Sequence, residues 1–177
     1  MHPKQIGNNW ERQVAYILSE WMTGENQKLV AWRNVNSGSL STKRINKDVS
    51  GENIDGDVLC IDVAYKRFFE IFHIEAKSFA QINLCFINKS NQKSNKTLLA
   101  WLKAEIEANQ VQKFPLMLVK IRDGKTPALI FYPSFLNLTS SFMFVDIDGE
   151  FKTSFKLGLL EDFKKENNWE NLIKLKN

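Results

Sequence analysis

The alternation of apolar and polar positions divides the chain into helices and strands separated by two long polar stretches. Apolar residues recur at helical spacing in residues 8–22, where Asn8 is a suitable N-cap. A second helix is predicted for about 97–110, and the tail from about Leu159 to Lys176 also has a helical pattern. Shorter apolar runs predict strands near 29–33, 57–64, 69–77, 116–121 and 128–132, with a further strand and turn in "SFMFVDIDGEF".

The order of these elements is α, β, β, β, α, β, β, followed by a less regular end. The short connection "YKR" predicts a hairpin between the strands at 57–64 and 69–77. Neither a repeat nor a linker is visible in the sequence. We therefore expect one α/β domain over residues 1–177, with a central mixed β-sheet flanked by helices. Its core is expected at about 4–133, with a C-terminal extension at 134–177.

The composition is typical of a globular protein, with 44% hydrophobic and 25% charged residues. The net charge of +4 permits a polyanionic partner without requiring one. Cys60 and Cys85 lack metal-ligand spacing and have only His2 and His73 to accompany them, so neither a zinc site nor a disulfide framework is expected.

The N-terminal segment has no apolar signal-peptide core, and no apolar run approaches the ~20 residues that span a bilayer. We expect a soluble protein without membrane contact, in the cytoplasm of a bacterial or phage-infected cell.

A charged pair interrupts the apolar stretch Phe72–Phe79, "FHIEAKSF". Strand residues two apart share a face, about 6.5–7 Å from each other, so Glu75 and Lys77 point the same way and Ala76 points to the other face. An uncompensated carboxylate there would cost on the order of several kcal/mol unless it is paired or bound to metal. Taken alone, the pair fits a strand end where both charges reach each other or solvent.

Two further carboxylates fall where they could join this pair. Asp57 follows Gly56, where a polar loop gives way to an apolar strand, and the predicted hairpin places it opposite residues 75–77. Glu11 lies beside the apolar stripe of the first helix. Carboxylate oxygens suit Mg²⁺. Each residue also has an ordinary structural explanation: Asp57 as a turn residue, and Glu11 as the partner of Asn8 in a capping box.

The sequence resembles the PD-(D/E)xK nuclease superfamily in the order of these residues. Glu11 lies on a helix, Asp57 follows a glycine at the start of a strand, and Glu75 and Lys77 form a Glu-x-Lys motif on the next strand. The stretch "WRNVNSGSL" also resembles the R…SG segment of Holliday junction resolvase-like and phage-type endonucleases. The resemblance covers about residues 4–121 and implies a restriction-endonuclease-like αβββαβ core. Gly56 replaces the Pro of the family motif, which is a common variation.

The resemblance implies a metal-dependent endodeoxyribonuclease that hydrolyses DNA phosphodiester bonds with Mg²⁺ or Mn²⁺. Asp57 and Glu75 would bind the metal together with the Ala76 carbonyl, and Glu11 would bind it directly or through water. Lys77 would orient or help deprotonate the attacking water and stabilise transition-state charge. Many resolvase-like members carry a Gln or Lys on the next helix, and in this chain Lys103, Gln110 and Gln112 are all candidates for that role.

Charge indicates candidate DNA contacts in the polar stretches on either side of the pair, because Lys, Arg and Ser commonly contact phosphates. A solvated surface loop explains these residues equally well. The candidates are Arg33, Ser37, Ser39, Lys43, Arg44 and Lys47 before Asp57, and Lys89, Lys93 and Lys96 after Lys77.

Three other features are weaker candidates. His73 shares the face of Glu75, although a histidine packed in the core is the more ordinary explanation. Asp55 in the loop and Asp62 deeper in the strand are alternatives to Asp57. The segment "VDIDGE" at 145–150 lacks the full calcium-loop pattern, so a hairpin turn is expected there.

Within the nuclease class, the sharper hypothesis is a Holliday junction resolvase that acts on branched DNA in recombination. Cutting two strands would then require a homodimer with two active sites. A sequence-specific restriction-type endonuclease that acts on duplex DNA stays open, as does a non-catalytic nucleic-acid-binding protein with the same fold. Residues 134–177 could supply the dimer surface or the specificity.

Overall fold

A five-stranded sheet and a separate two-stranded ladder form the β-structure of the described part of the chain. The structure is a computed structural model that describes residues 3–34, 56–83, 94–134, 143–147 and 153–174. The helices are α1 (Pro3–Thr23), α2 (Lys66–Ile71), α3 (Lys96–Gln110), α4 (Leu160–Glu166) and α5 (Trp169–Leu172). The strands are β1 (Ala31–Arg33), β2 (Val58–Cys60), β3 (Phe72–Phe79), β4 (Phe114–Ile121), β5 (Leu129–Pro133), β6 (Met143–Ile147) and β7 (Thr153–Leu159).

The larger sheet is mixed, with the strand order β3-β4-β5-β7-β6. β3 and β4 are parallel and pair from Phe72 with Phe114 to Phe79 with Ile121, because α3 connects them as a crossover. The other neighbours are antiparallel. The order α1, β1, β2, β3, α3, β4 confirms the expected mixed α/β sheet of the restriction-endonuclease-like fold, with α2 inserted before β3.

The two faces of this sheet pack against different helices. Ile74 and Ala76 belong to a buried cluster that includes Val14 and Leu18 of α1. The alternate positions of β4, such as Met117, belong to a second cluster with Leu98 and Trp101 of α3. Because Glu75 pairs in register with Met117, the odd-numbered residues of β3 lie on the α3 face.

The predicted hairpin between 57–64 and 69–77 is wrong. A short 3-10 helix, Val63–Tyr65, and α2 replace its turn, and Asp62 accepts a hydrogen bond from the Ala64 N–H (3.0 Å) at the start of the 3-10 helix. β2 pairs with β1 instead, from Ala31 with Cys60 to Arg33 with Val58. The apolar run that begins at Phe68 starts in helix α2, where Phe68, Phe69 and Ile71 are buried. A short apolar run is compatible with both helical and strand spacing, so the sequence pattern did not distinguish the two.

The predicted start of the first helix is also wrong. α1 begins at Pro3, where a proline needs no hydrogen bond for its missing N–H, so Asn8 lies inside the helix. The Asn8 side chain accepts a hydrogen bond from Arg33 Nη2 (3.2 Å) and is not an N-cap. The capping-box explanation for Glu11 is therefore excluded.

The described part of residues 134–177 shares this sheet and core. β7 pairs with β5, and Leu160, Phe163 and Leu172 belong to the cluster on the α1 face. The Trp21 indole N–H of α1 also lies within hydrogen-bond distance of the Lys164 carbonyl (3.1 Å). The division into a core and an extension stays a prediction. Across the described ranges, no helix is both long and apolar enough to cross a membrane.

Candidate active site

Asp57 is held against the free edge of β3 by backbone hydrogen bonds. Its N–H donates to the Ile74 carbonyl (2.7 Å), and its Oδ2 accepts from the Ala76 N–H (2.9 Å). Asn34 fixes the same segment from the other side, since its N–H donates to the Asp57 carbonyl (2.8 Å) and its side-chain amide donates to the Gly56 carbonyl (3.1 Å). The carboxylate is thus positioned by main-chain groups on both sides.

Gly56 is required by this close approach. A Cβ at this position would lie 2.2 Å from the Ile74 carbonyl oxygen, which is backbone and cannot move aside without distorting β3. This contact gives a physical reason for glycine directly before Asp57.

Glu75 and Lys77 meet Asp57 as the sequence predicts, although no hairpin brings them there. Lys77 Nζ lies 3.2 Å from Asp57 Oδ2 and also contacts Glu75 Oε2. Both carboxylates are buried, whereas the Lys77 side chain is 28% exposed. The ammonium therefore lies between two carboxylates.

The buried charges perturb each other. Burial, together with the negative charge of Glu75, raises the pKa of Asp57 to about 6, although Lys77 acts in the opposite direction. Burial also acts to raise the pKa of Glu75, but the His73 ring and the Lys77 ammonium outweigh it and lower that pKa. Burial acts to lower the pKa of Lys77, but the two carboxylates hold it above its usual range. One ammonium thus compensates two carboxylates only in part.

Glu11 lies near this group but contacts Arg33. Its Oε2 is 3.0 Å from Arg33 Nε, and both side chains are 13% exposed. Burial and the charge of Asp57 raise the pKa of Glu11, whereas Arg33 acts to lower it. The guanidinium of Arg33 is engaged by Glu11 and Asn8, so its contact with DNA stays a prediction.

The other sequence candidates are spread over several places. Lys96 is exposed as the first residue of α3, and Lys103 pairs with Glu107 (3.5 Å). Gln110 ends α3, and Gln112 follows it with a φ of 56°. Asp62 caps the 3-10 helix Val63–Tyr65. Ser37, Ser39, Lys43, Arg44, Lys47, Asp55, Lys89, Lys93 and the turn of "VDIDGE" at 148–150 lie outside the described residues.

A third buried carboxylate, Glu107, was missed by the sequence reasoning. His73 Nε2 lies 3.7 Å from Glu75 Oε1 and 3.9 Å from Glu107 Oε2, so α3 supplies a group directly beside the β3 pair. Glu107 follows Ala104 by three residues on the buried stripe of α3. The sequence did contain a signal for Glu107: it is a charged residue on the apolar stripe of the helix that follows the Glu-x-Lys strand.

The sheet and its flanking helices have the restriction-endonuclease-like arrangement, and Asp57, Glu75 and Lys77 meet at the edge of β3. The family model described as "Phage putative PDDEXK endonuclease" matches residues 2–174, and the chain belongs to this family. The match extends beyond the 4–121 of the sequence resemblance and includes the C-terminal strands. No curated protein and no solved structure matches the chain.

Proposed function

We propose that the chain is a divalent-metal-dependent endodeoxyribonuclease that hydrolyses DNA phosphodiester bonds at Asp57, Glu75 and Lys77. One observation carries the proposal. In a chain of an endonuclease family, two buried carboxylates and an ammonium converge at the free edge of β3.

The donor set fits Mg²⁺ or Mn²⁺. Asp57 and Glu75 offer hard oxygen ligands, and one ammonium compensates only part of their negative charge. The Ala76 N–H points at Asp57. Because a strand residue directs its N–H and its carbonyl to the same side, the Ala76 carbonyl faces the same edge. Glu11 would contribute through water, since its Oε2 is paired with Arg33.

A divalent ion bound here would lower the pKa of an attacking water and stabilise charge on the phosphate. The protein groups supply the positioning. The Ala76 N–H fixes the Asp57 carboxylate, and the Glu75 charge keeps Lys77 protonated. Lys77 would then donate hydrogen bonds to the scissile phosphate or to the attacking water, where its charge matches the transition state.

Branched DNA, with a homodimer as the active unit, is the finer form of the proposal. Its support is the resemblance of "WRNVNSGSL" to resolvase-like and phage-type segments, much of which lies outside the described residues. Two incisions across a junction would need two copies of the site, which a two-fold dimer supplies. The restriction-type alternative would act on linear duplex DNA.

The test is cleavage of a four-way junction, a flap and a linear duplex with Mg²⁺ or Mn²⁺ present or chelated. Wild type should cleave only with the metal, and Asp57→Asn, Glu75→Gln and Lys77→Ala should each lose about 100-fold or more in rate. Lys66→Ala is the matched control, because Lys66 pairs with Glu70 on the exposed surface of α2.

Each possible result bears on one part of the proposal. Cleavage that survives Lys77→Ala would overturn the site assignment. DNA binding without cleavage in any metal would favour the non-catalytic alternative. Paired symmetric nicks in the junction, with a dimer in sedimentation, would support the resolvase form, and cutting of the linear duplex alone would oppose it.

A further inference from the structure

We propose that His73, Glu75 and Glu107 form a second cation site, buried between β3 and α3, that takes a transition-metal ion such as Mn²⁺, Co²⁺ or Zn²⁺. The site lies on the opposite side of Glu75 from Asp57 and Lys77. Its existence is independent of the proposed nuclease function, whereas its role at Glu75 rests on that function.

The donor atoms are spaced as metal ligands are. One ligand atom from each of the three residues lies within 4.8 Å of the others, and the two contacts of His73 are 3.7 and 3.9 Å. Ligands at 2.0–2.2 Å from a shared ion in tetrahedral geometry stand about 3.4 Å apart. The two carboxylate oxygens would each need to approach His73 Nε2 by only a few tenths of an ångström, and a fourth position would be left for water.

The histidine of this cluster lacks hydrogen bonds. Both ring nitrogens of His73 are buried and have no hydrogen-bond partner among the residues that the structure describes. The 3.7–3.9 Å separations exceed hydrogen-bond length. His73 is 1% exposed and Glu107 is 4% exposed, so these side chains are almost completely removed from solvent. Buried polar atoms in proteins are nearly always satisfied, which indicates a missing partner at the centre of this cluster.

The donor chemistry selects the ion. An imidazole nitrogen with two carboxylates suits manganese, cobalt or zinc, whereas magnesium favours an all-oxygen shell. The Asp57 side of Glu75 offers oxygen ligands, so the two sites differ in chemistry. We therefore expect the His73 site to fill with a transition metal even when Mg²⁺ is in excess.

Glu75 connects the two sites through its two carboxylate oxygens. Oε1 faces His73, and Oε2 faces Lys77. An ion on the His73 side would fix the orientation of this carboxylate and partly neutralise it. Glu107 and His73 would thus act on the nuclease centre as positioning residues through Glu75.

The rival explanation is a protonated His73 ion-paired with both carboxylates. It accounts for the approach of the three side chains but predicts no bound metal.

The test measures metal content and Co²⁺ binding of the full chain by calorimetry and visible absorption. Wild type should bind one Co²⁺ in a site with nitrogen ligation when Mg²⁺ is in excess. His73→Gln and Glu107→Gln should each weaken that binding at least tenfold, whereas Asp57→Asn should retain it. Glu105→Gln is the matched control, because Glu105 lies on the same helix but its Oε2 accepts from Thr153 Oγ1 (2.9 Å).

A second measurement covers variants that fail to fold. The chain has two histidines. In His2→Ala protein loaded with Co²⁺, X-ray absorption should still detect an imidazole ligand, which His73 alone can supply. Absence of that ligand, or equal Co²⁺ binding by folded wild type and Glu107→Gln, would overturn the proposal.

The failure of this inference is distinguishable from failure of the proposed function. Cobalt binding that depends on His73, without any DNA cleavage, would oppose only the nuclease. Metal-dependent cleavage by a protein that binds no ion at His73 would oppose only the second site.

Discussion

At the residue scale, the Asp57 carboxylate is placed where ionisation is unfavourable. Its pKa rises from 3.8 in the unfolded chain to about 6 in the metal-free fold, chiefly because of burial. A raised carboxyl pKa means that the folded state favours the protonated form. The stabilising contribution is fully present below pH 3.8 and is lost as the pH rises through about 6.

Asp57→Asn should therefore stabilise the metal-free protein above pH 6. We expect a gain of about 2 kcal/mol in the free energy of unfolding at pH 8, which should disappear near pH 4. Urea unfolding of wild type and variant at the two pH values, in the presence of a chelator, measures this difference in the free energy of unfolding. A variant less stable than wild type at pH 8 would contradict the placement of this charge. Added Mn²⁺ should raise the stability of wild type more than that of the variant.

Gly56 gives the second prediction at this scale. Gly56→Ala should destabilise the fold by about 1–3 kcal/mol and weaken divalent-ion binding, because the added methyl group must displace Asp57 from β3. Thermal unfolding and calorimetry with Mn²⁺ measure the two effects. Gly7→Ala is the control, since its Cβ would meet nothing within 4 Å inside α1, and we expect it to stabilise by about 0.5–1 kcal/mol. Unchanged Mn²⁺ binding in Gly56→Ala would show that the contact is dispensable.

At the element scale, one hydroxyl connects α1 with the start of β1. Ser19 Oγ is buried, donates to the Ala15 carbonyl (2.8 Å) and accepts from the N–H groups of Val30 and Ala31, each at 3.1 Å. This connection sets the distance between Glu11 on α1 and Arg33 on β1. The hydrogen bonds of Ser19 therefore hold α1 and β1 together, and these two elements position Glu11 and Arg33 next to the site.

Ser19→Ala should destabilise the protein by about 1–3 kcal/mol, because two buried N–H groups lose their acceptor. Chemical denaturation against Glu20→Ala, a change at the adjacent exposed position, measures the difference. A loss no larger than that of Glu20→Ala would mean that water or another acceptor replaces the hydroxyl.

The sequence predicted helices and strands correctly wherever the apolar residues follow only one periodicity, helical or strand. α3 and β4 follow their apolar patterns closely, and the strand period placed Glu75 and Lys77 on one face. The first turn of α1 carries no apolar stripe to mark it, so its start was missed. The run after Tyr65 has apolar residues at both helical and strand spacings. Glu107 reaches His73 only because α3 packs over β3, and that is a tertiary contact that no local pattern contains.

At the scale of the whole molecule, the C-terminal elements complete the core. β7 covers β5, and Leu160, Phe163 and Leu172 bury their side chains on the α1 face. A chain truncated after Pro133 should therefore fail to fold, because these contacts and the pairing partner of β5 are removed together. Circular dichroism and urea unfolding measure this. A cooperative transition in the truncated chain would support a self-sufficient core at about 4–133.

The position of β3 at the edge of the sheet has a consequence for solubility. An edge strand with unpaired backbone groups is a template for pairing with other chains. The segment at Gly56 and Asp57 covers part of that edge through the Ile74 carbonyl and the Ala76 N–H. The residues proposed to cut DNA thus also shield the strand that carries them. Conditions that release Asp57 from β3 should promote self-association as well as loss of activity.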